Sequence, residues 1–270
     1  MCSNMGGRAA PAAAPQAAPV VIQQPAPAAA PQAAPAPEPT AQQAAAAAFA
    51  QAHAITRADV ARLQQAMGQT GYEAGDPNTS PDQKVYVKTS KSFNINAYLR
   101  SGMTSVHDPS GNSQWEYLGY TTRDAARAVR QIDAGMKALP ESIRLTRFVG
   151  GSALGAILGN PKITSANIGR IIQSIKTPQG AAKFAAALRA ADYTEDAYTS
   201  TTYLQTHPSF DTRQLRINVV ARKGTKAIVT SNHAENEVLL GRGVKYNFTG
   251  DFRVVRTPKG VEQLEIDVVI

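Results

Sequence analysis

The C-terminal half of the chain contains a succession of short segments in which apolar and polar residues alternate, and this feature restricts the fold most. Leu215–Val219 and Leu264–Val268 show the alternation clearly. A period of two residues indicates strands with one face in a core. From Tyr198 onward, no helical segment long enough for a parallel crossover separates these strands. The sequence therefore predicts a mainly antiparallel sheet.

The residues before this sheet mostly follow helical spacing. A stripe of apolar residues three and four apart predicts a long helix over Thr122–Pro140. Two further helices are expected over about 167–175 and 179–191, and Lys84–Lys88 predict a short strand. The fold class is therefore α+β, with N-terminal helices flanking the sheet.

The first fifty residues differ in composition from the rest of the chain. They are mostly Ala, Pro and Gln, and prolines recur too closely for a helix to run through most of them. Few groups there could bury enough apolar area to offset the entropy of ordering. We therefore predict two parts: a disordered Ala/Pro-rich tether over 1–50 with a short helix at Ala41–Ala50, and a domain over 51–270 with a helical part at about 51–140 and a sheet core at about 141–270.

The chain is basic, with a formal net charge of +8 at pH 7. Such a charge suits nucleic acid, an anionic membrane or a phosphate-bearing ligand. No nucleic-acid-binding motif is present, so nucleic acid is not expected as a partner, and a dinucleotide fits the charge as well. No apolar run is long enough to predict a membrane span. Cys2 is the only cysteine and the histidines are scattered, so we expect neither an internal disulfide nor a metal site.

An acidic pair, Glu235 and Glu237, stands directly before an apolar run, Val238–Leu240. In a strand these two carboxylates share a face, and like charges side by side cost energy unless a cation lies opposite. Such a pair suits chemistry in which positive charge develops. A solvated strand edge, protected from aggregation by its acids, is the alternative.

Arg147 lies in a predicted strand, Ile143–Val149, on the same side as the aliphatic residues of that strand. A charged side chain on an apolar face needs an anionic partner. Gly150 and Gly151 follow and would let a ligand approach the backbone, so the arrangement suits a pyrophosphate. A structural ion pair explains Arg147 equally well, and the pattern leaves both explanations open.

Two further polar groups have both a functional and a structural explanation. Tyr198–Leu204 predicts a strand rich in hydroxyl groups, including that of Ser200, but threonine favours any strand. Asn96 and Arg100 lie four apart on a short predicted helix and therefore share a face. By themselves these residues are typical of an ordinary edge strand and of a polar surface pair.

Four segments occur in a defined order: Ile95–Arg100 (Ile-Asn-x-Tyr-Leu-Arg), Arg147–Gly150 (Arg-x-x-Gly), Tyr198–Thr202 (Tyr-x-Ser-Thr-Thr) and Glu235–Leu240 (Glu-x-Glu-Val-Leu-Leu). In this order they resemble the mono-ADP-ribosyltransferases of the Arg–Ser–Glu class, especially the enzymatic components of clostridial binary toxins and phage-encoded ADP-ribosyltransferases. The resemblance covers about Lys84 to Ile270. It implies an ADP-ribosyltransferase-like fold, with a split antiparallel sheet or β-sandwich.

The resemblance also implies the reaction: transfer of ADP-ribose from NAD to an arginine of a target protein, such as a host protein, with release of nicotinamide. Positive charge develops on the ribose, and Glu237 would stabilise it and hold the 2′-hydroxyl, while Ser200 would fix the rotamer of Glu237. An acid at the position of Glu235 goes with arginine acceptors, and it would deprotonate the guanidinium. The implied NAD contacts, with NAD as co-substrate and no metal, are Arg147, Gly150, Asn96, Arg100, Ser200 and Glu237.

Two other functions are compatible with the sequence. The Ala/Pro-rich tether would suit a phage virion or structural protein that carries an inactive transferase-like module, and an NAD hydrolysis assay separates this function from an enzyme. A nucleic-acid-binding domain rests on charge alone. The sequence shows neither a signal peptide nor a disulfide pair, so it predicts action in the cytoplasm of a host or target cell, including delivery from a virion.

Overall fold

A computed structural model of the chain describes residues 40–69, 86, 91–107, 117–230 and 236–270. Residues 1–39 of the predicted tether lie outside this part of the chain, and the domain boundary at residue 50 remains a prediction. Of the strand predicted over Lys84–Lys88, only Tyr86 is described. The backbone at Tyr86 is helical, so the prediction of a strand is wrong at that position.

The helices of the described residues are α1 Ala41–Gln51, α2 Arg57–Ala66, α3 Lys91–Arg100, α4 Thr122–Gly135, α5 Ser152–Ile157, α6 Ile168–Ser174 and α7 Pro178–Ala190. The helices predicted over Ala41–Ala50, about 167–175 and about 179–191 are confirmed in α1, α6 and α7. None of the described helices is long and apolar enough to cross a bilayer.

Helix α4 ends earlier than its apolar stripe predicts. Its start is fixed by a capping box, in which the Thr121 hydroxyl accepts from the Asp124 N–H at 3.2 Å and the Asp124 carboxylate accepts from the Thr121 N–H at 3.1 Å. At the other end Gly135 is the last helical residue, as expected for a residue of low helix propensity. The predicted end at Pro140 is therefore wrong, and Leu139 is buried from an extended segment instead.

The strands are β1 His53–Ala54, β2 Lys137–Ala138, β3 Ile143–Val149, β4 Tyr193–Glu195, β5 Thr199–Thr202, β6 Leu215–Ala221, β7 Lys226–Val229, β8 Glu237–Leu240, β9 Val244–Arg256 and β10 Glu262–Val269. They pair in the order β2-β7-β8-β5-β3-β6-β10-β9-β4, and β1 joins the edge of β3. Among the strand pairs of the described residues, β1–β3 and β6–β10 are parallel and the others antiparallel, which confirms the predicted mainly antiparallel sheet.

The sheet is split between β3 and β5. These two strands share a single residue pair, Thr146 with Thr202, whereas β3 pairs with β6 along its whole length. The sheet therefore has two halves, and the half formed by β2, β7, β8 and β5 is joined to the other by this one residue pair. This split antiparallel sheet with flanking helices confirms the predicted fold class.

Two main hydrophobic clusters hold the helices on the sheet. The larger contains Leu145 and Ile217 from the β3-β6 half, together with Leu63 of α2. The second contains Ile95 of α3, Ile132 of α4 and Leu239 of β8. Because α3 shares this second cluster with β8, its polar residues lie on the side of the sheet that contains β8. A small third cluster joins Ala45 of α1 to Val220 and Val269 on the sheet.

Candidate active site

Glu237 is the first residue of β8, and Ser200 of β5 holds its carboxylate. The strands pair so that Thr202 lies opposite Glu237 and Ser200 lies opposite Leu239. Ser200 and Glu237 are therefore diagonal neighbours on one face of the sheet. The Ser200 hydroxyl donates a hydrogen bond of 2.6 Å to Oε1 of Glu237. Glu237 is only 3% exposed while Ser200 is exposed, so a surface hydroxyl fixes the direction of a buried carboxylate.

Arg147 lies near the end of β3, directly after the single Thr146–Thr202 pair. Its Nη1 donates to Oε2 of Glu195 and to the hydroxyl of Tyr246, both at 3.0 Å. Burial acts to lower the pKa of the Arg147 guanidinium, but Tyr246 and Glu195 outweigh it and raise that pKa above its ordinary value. Arg147 therefore forms a structural ion pair with Glu195, one of the two explanations that the sequence allowed for a charged residue here.

Glu195, the last residue of β4, belongs to the site although no sequence motif indicated it. Its side chain is 3% exposed. Oε1 accepts from Nε of Arg100 at 3.1 Å and from the N–H of Ala197 at 3.3 Å. Oε2 accepts from Nη2 of Arg100 at 3.3 Å, from Nη1 of Arg147 at 3.0 Å and from the hydroxyl of Tyr193 at 3.1 Å. One carboxylate thus joins the two arginines that the sequence singled out separately.

The ionisation of Glu195 follows from these contacts. Burial acts to raise the pKa of its carboxyl group, but Arg147 and Arg100 outweigh burial and hold that pKa below its ordinary value. The cluster of Glu195, Arg147 and Arg100 therefore carries one net positive charge at neutral pH.

Asn96 lies one turn before Arg100 on α3 and connects that helix to Tyr86. Its Nδ2 donates to the Tyr86 hydroxyl at 3.0 Å. Burial, and after it the negative charge of Glu237, raises the pKa of Tyr86, while the charges of Arg147 and Arg100 act against the shift. Glu237 on one side, and Arg147 and Arg100 on the other, thus act electrostatically on the same Tyr86 hydroxyl group.

Gly150 and Gly151 make room for packing after β3. A Cβ at Gly150 would lie 2.9 Å from Oγ of Ser165, and one at Gly151 would lie 2.9 Å from Cβ of Ile168. Both glycines therefore admit the segment that leads into α6. The ligand contact expected at Gly150 remains a prediction.

Glu235 lies outside the described residues. Strand β8 begins only at Glu237, and Asn236 has φ +51° in the left-handed region, which asparagine tolerates better than most residues. Tyr203 anchors Asn236: its hydroxyl donates to Oδ1 at 2.5 Å and its N–H to the carbonyl oxygen at 3.2 Å. The alternation that placed Glu235 on the face of Glu237 therefore does not extend past Asn236.

The arrangement combines a buried carboxylate with a cationic cluster. Among the described residues Arg147 donates hydrogen bonds from Nη1 alone, so Nε and Nη2 can donate to an anionic ligand. The same part of the chain contains no group of three or more His, Cys, Asp or Glu placed to hold a metal ion. The site can therefore hold an anionic group at Arg147 while Glu237 stabilises a developing positive charge.

Residues 64–270, more than half of the chain, match the family model for the ADP-ribosyltransferase exoenzyme domain. The chain belongs to the ADP-ribosyltransferase exoenzyme family. The matched range includes all four segments that carried the sequence resemblance, which is thereby confirmed. A search of curated protein sequences found no match.

Several solved structures, an ADP-ribosylating toxin among them, share the fold. BECa of a Clostridium perfringens binary enterotoxin, with NADH, has a TM-score of 0.54 and 17% identity over 83% of this chain and 48% of its own. The Clostridium limosum C3 exoenzyme has a TM-score of 0.53 and 20% identity over 82% of this chain and 98% of its own. C3stau2 of S. aureus, with NAD, has a TM-score of 0.53 and 20% identity over 79% of this chain and 95% of its own. This ADP-ribosyltransferase chain thus spans nearly all of the two C3 proteins and about half of BECa.

Proposed function

We propose that the protein transfers ADP-ribose from NAD to the guanidinium group of an arginine in a target protein and releases nicotinamide. The observation that carries this proposal is the 2.6 Å hydrogen bond by which Ser200 orients the buried carboxylate of Glu237. The BECa and C3stau2 structures were solved with NADH and NAD, which supports NAD as the co-substrate.

The residues fit the two chemical halves of NAD. The bond of NAD that breaks is the one between nicotinamide and ribose. Glu237 would accept a hydrogen bond from the ribose 2′-hydroxyl and stabilise the positive charge that develops there, because a fixed carboxylate in a poorly solvated site interacts strongly with such charge. Arg147 and Arg100 would donate to the diphosphate oxygens, and Asn96 lies on the same helix face as Arg100 to contact the ribose.

We expect Ser200→Ala to lower the turnover number for NAD cleavage by roughly tenfold, a typical effect of removing a group that orients a catalytic side chain. The KM for NAD should change little, because Ser200 acts through the rotamer of Glu237. Steady-state release of nicotinamide measures both constants. Ser200→Thr keeps the hydroxyl and serves as the matched control, and equal loss of activity in both variants would count against the orienting role.

The arginine acceptor is supported by the residue type at position 235. A free guanidinium is protonated at neutral pH and is a poor nucleophile, so a base must take its proton as it attacks. Glu235 is two residues from Glu237 in the sequence. The residue between them, Asn236, is held by hydrogen bonds from Tyr203.

Glu235→Gln tests this acceptor chemistry. We expect transfer to the small guanidine agmatine to fall by about 100-fold or more, the usual size of general-base effects. Hydrolysis of NAD by water should remain, because Glu237 is unchanged. Chromatography of ADP-ribosylagmatine and of free ADP-ribose measures the two products in one reaction. Loss of both products together would contradict a separate role for Glu235.

The target and the site of action are part of the same proposal. We propose that the acceptor is a protein in the cytoplasm of a host or target cell, and mass spectrometry of a lysate incubated with labelled NAD would identify it. The alternative, a virion protein with an inactive transferase-like module, predicts no release of nicotinamide by the purified chain.

A further inference from the structure

We propose that Glu195 is a positioning residue that holds Arg147 and Arg100 at the separation and orientation required to bind the diphosphate of NAD. The inference rests on the proposed function and adds to it the residue that assembles the anion-binding part of the site.

Glu195 joins three separate elements of the fold. Arg147 comes from β3, Arg100 from α3 and Glu195 itself from β4, and both guanidinium groups lie within 3.3 Å of its carboxylate oxygens. Two guanidinium groups brought together without a counter-charge would repel each other. The carboxylate therefore makes their convergence possible.

The carboxylate of Glu195 is fully hydrogen-bonded and rigidly held. Both oxygens accept hydrogen bonds, the Tyr193 hydroxyl and the Ala197 N–H complete the set, and the side chain is 3% exposed. A surface ion pair would hold its partners loosely, because solvent and side-chain entropy compete with it. Here Arg147, at 15% side-chain exposure, is held by the described residues through Nη1. Its remaining N–H groups keep a fixed direction.

The cluster of Glu195, Arg147 and Arg100 is not neutral. One carboxylate against two guanidinium groups leaves one positive charge for an incoming anion, so Glu195 organises the arginines without cancelling their attraction for a diphosphate. Full neutralisation would have removed that attraction. The ligand chemistry that fits is therefore a nucleoside diphosphate, as in ADP-ribose and NAD.

Glu195→Gln tests the inference. Glutamine keeps the shape of the side chain, but its terminal NH2 group is a donor. This group would face the N–H groups from which Glu195 now accepts hydrogen bonds. We expect the dissociation constant for ADP-ribose to rise by about tenfold or more, as for loss of a charge-assisted arrangement. The affinity for nicotinamide, which has no phosphate, should stay within about twofold. Isothermal titration calorimetry with each ligand measures both affinities on the full chain.

The chain offers a matched control for a purely structural role. Glu265 is also a buried carboxylate, 3% exposed, between two arginines, Arg216 at 2.8 Å and Arg253. It lies on β10 at a register position paired with Arg216, on the face of the sheet opposite to Arg147. Glu265→Gln removes the same kind of charge, and we expect it to lower thermal stability while leaving the ADP-ribose affinity unchanged.

The outcomes separate the inference from the proposed function. Weakened ADP-ribose binding in Glu195→Gln, with nicotinamide binding preserved and Glu265→Gln unaffected, supports the positioning role. Equal ADP-ribose affinity in wild type and folded Glu195→Gln overturns it while the proposed function stands. Equal weakening in both variants shows a general structural effect and also overturns it. No ADP-ribose binding by the wild type would overturn both proposals.

Discussion

Glu237→Gln is expected to lower the turnover number for NAD cleavage by at least about 100-fold, the size typical of removing a preorganised electrostatic group from a transition state. Glutamine keeps the length of the side chain and an oxygen that can accept from the Ser200 hydroxyl. It lacks the negative charge that would stabilise the ribose cation. Because Glu237 is only 3% exposed, little solvent screens that charge, and its loss has a large effect. Both hydrolysis and transfer should be lost, and chromatographic measurement of nicotinamide release detects either.

A control must show that the loss does not come from unfolding. Glu262 on β10 is partly exposed and pairs with Lys176, so Glu262→Gln makes the same chemical change away from the site. We expect Glu262→Gln to retain wild-type turnover, and both variants to unfold near the wild-type temperature. A folded Glu237→Gln variant with normal nicotinamide release would show that Glu237 is not the catalytic carboxylate.

Arg147→Lys is expected to raise the KM for NAD by roughly 10- to 100-fold, because a hydrogen bond to a charged group contributes about 1.5–3 kcal/mol and each 1.4 kcal/mol is tenfold. Lysine keeps the positive charge. Its single ammonium group cannot bond Glu195 and Tyr246 as Arg147 does and also present a planar pair of donors to a diphosphate. The turnover number should fall less than the affinity. Steady-state kinetics and calorimetric titration of NAD measure the two effects separately.

Arg216 provides the matched control for Arg147. It is 9% exposed and bonded to Glu265 and Gln205. In the register of β3 with β6, Arg147 pairs with Ile217, so Arg216 points to the opposite face. Arg216→Lys should lower stability and leave the KM for NAD unchanged. An unchanged KM in Arg147→Lys, or an equal rise in both variants, would contradict the diphosphate-binding role of Arg147.

The parts of the site that the sequence predicts lie in short local motifs, on strands for Ser200 and Glu237 and on a helix for Arg100. The Ser200–Glu237 contact was implied by the family resemblance, and in the structure the pairing of β5 with β8 places the two side chains on one face. The antiparallel sheet was predictable for the same reason, because alternation and the lack of crossover segments are local properties. Helix ends were less predictable, since Gly135 ended α4 before its apolar stripe did.

Glu195 could not be predicted because its role depends on tertiary contacts. It belongs to none of the four recognisable segments, and its partners Arg147 and Arg100 are 48 and 95 residues away in the chain. A single acidic residue in a short strand has no pattern of its own. Tyr86 was missed for a different reason: its neighbours suggested a strand, although its backbone is helical.

Asn236 shows how one backbone angle changes a prediction about side chains. A strand through Glu235 and Glu237 requires Asn236 to be extended, but Tyr203 holds it in the left-handed region. The sequence contains a hint, since asparagine adopts this conformation more readily than most residues. That hint is too weak to override the strand pattern of Val238–Leu240.

A crystal structure of the protein with NAD is the decisive test of the proposed role of Glu237. We predict a distance of about 3 Å between the Glu237 carboxylate and the 2′-hydroxyl of the nicotinamide ribose, as in an ordinary hydrogen bond, with the Arg147 guanidinium donating to the diphosphate. NAD bound elsewhere on the chain, or bound here with its ribose away from Glu237, would contradict the proposal that this carboxylate drives cleavage of the bond between nicotinamide and ribose.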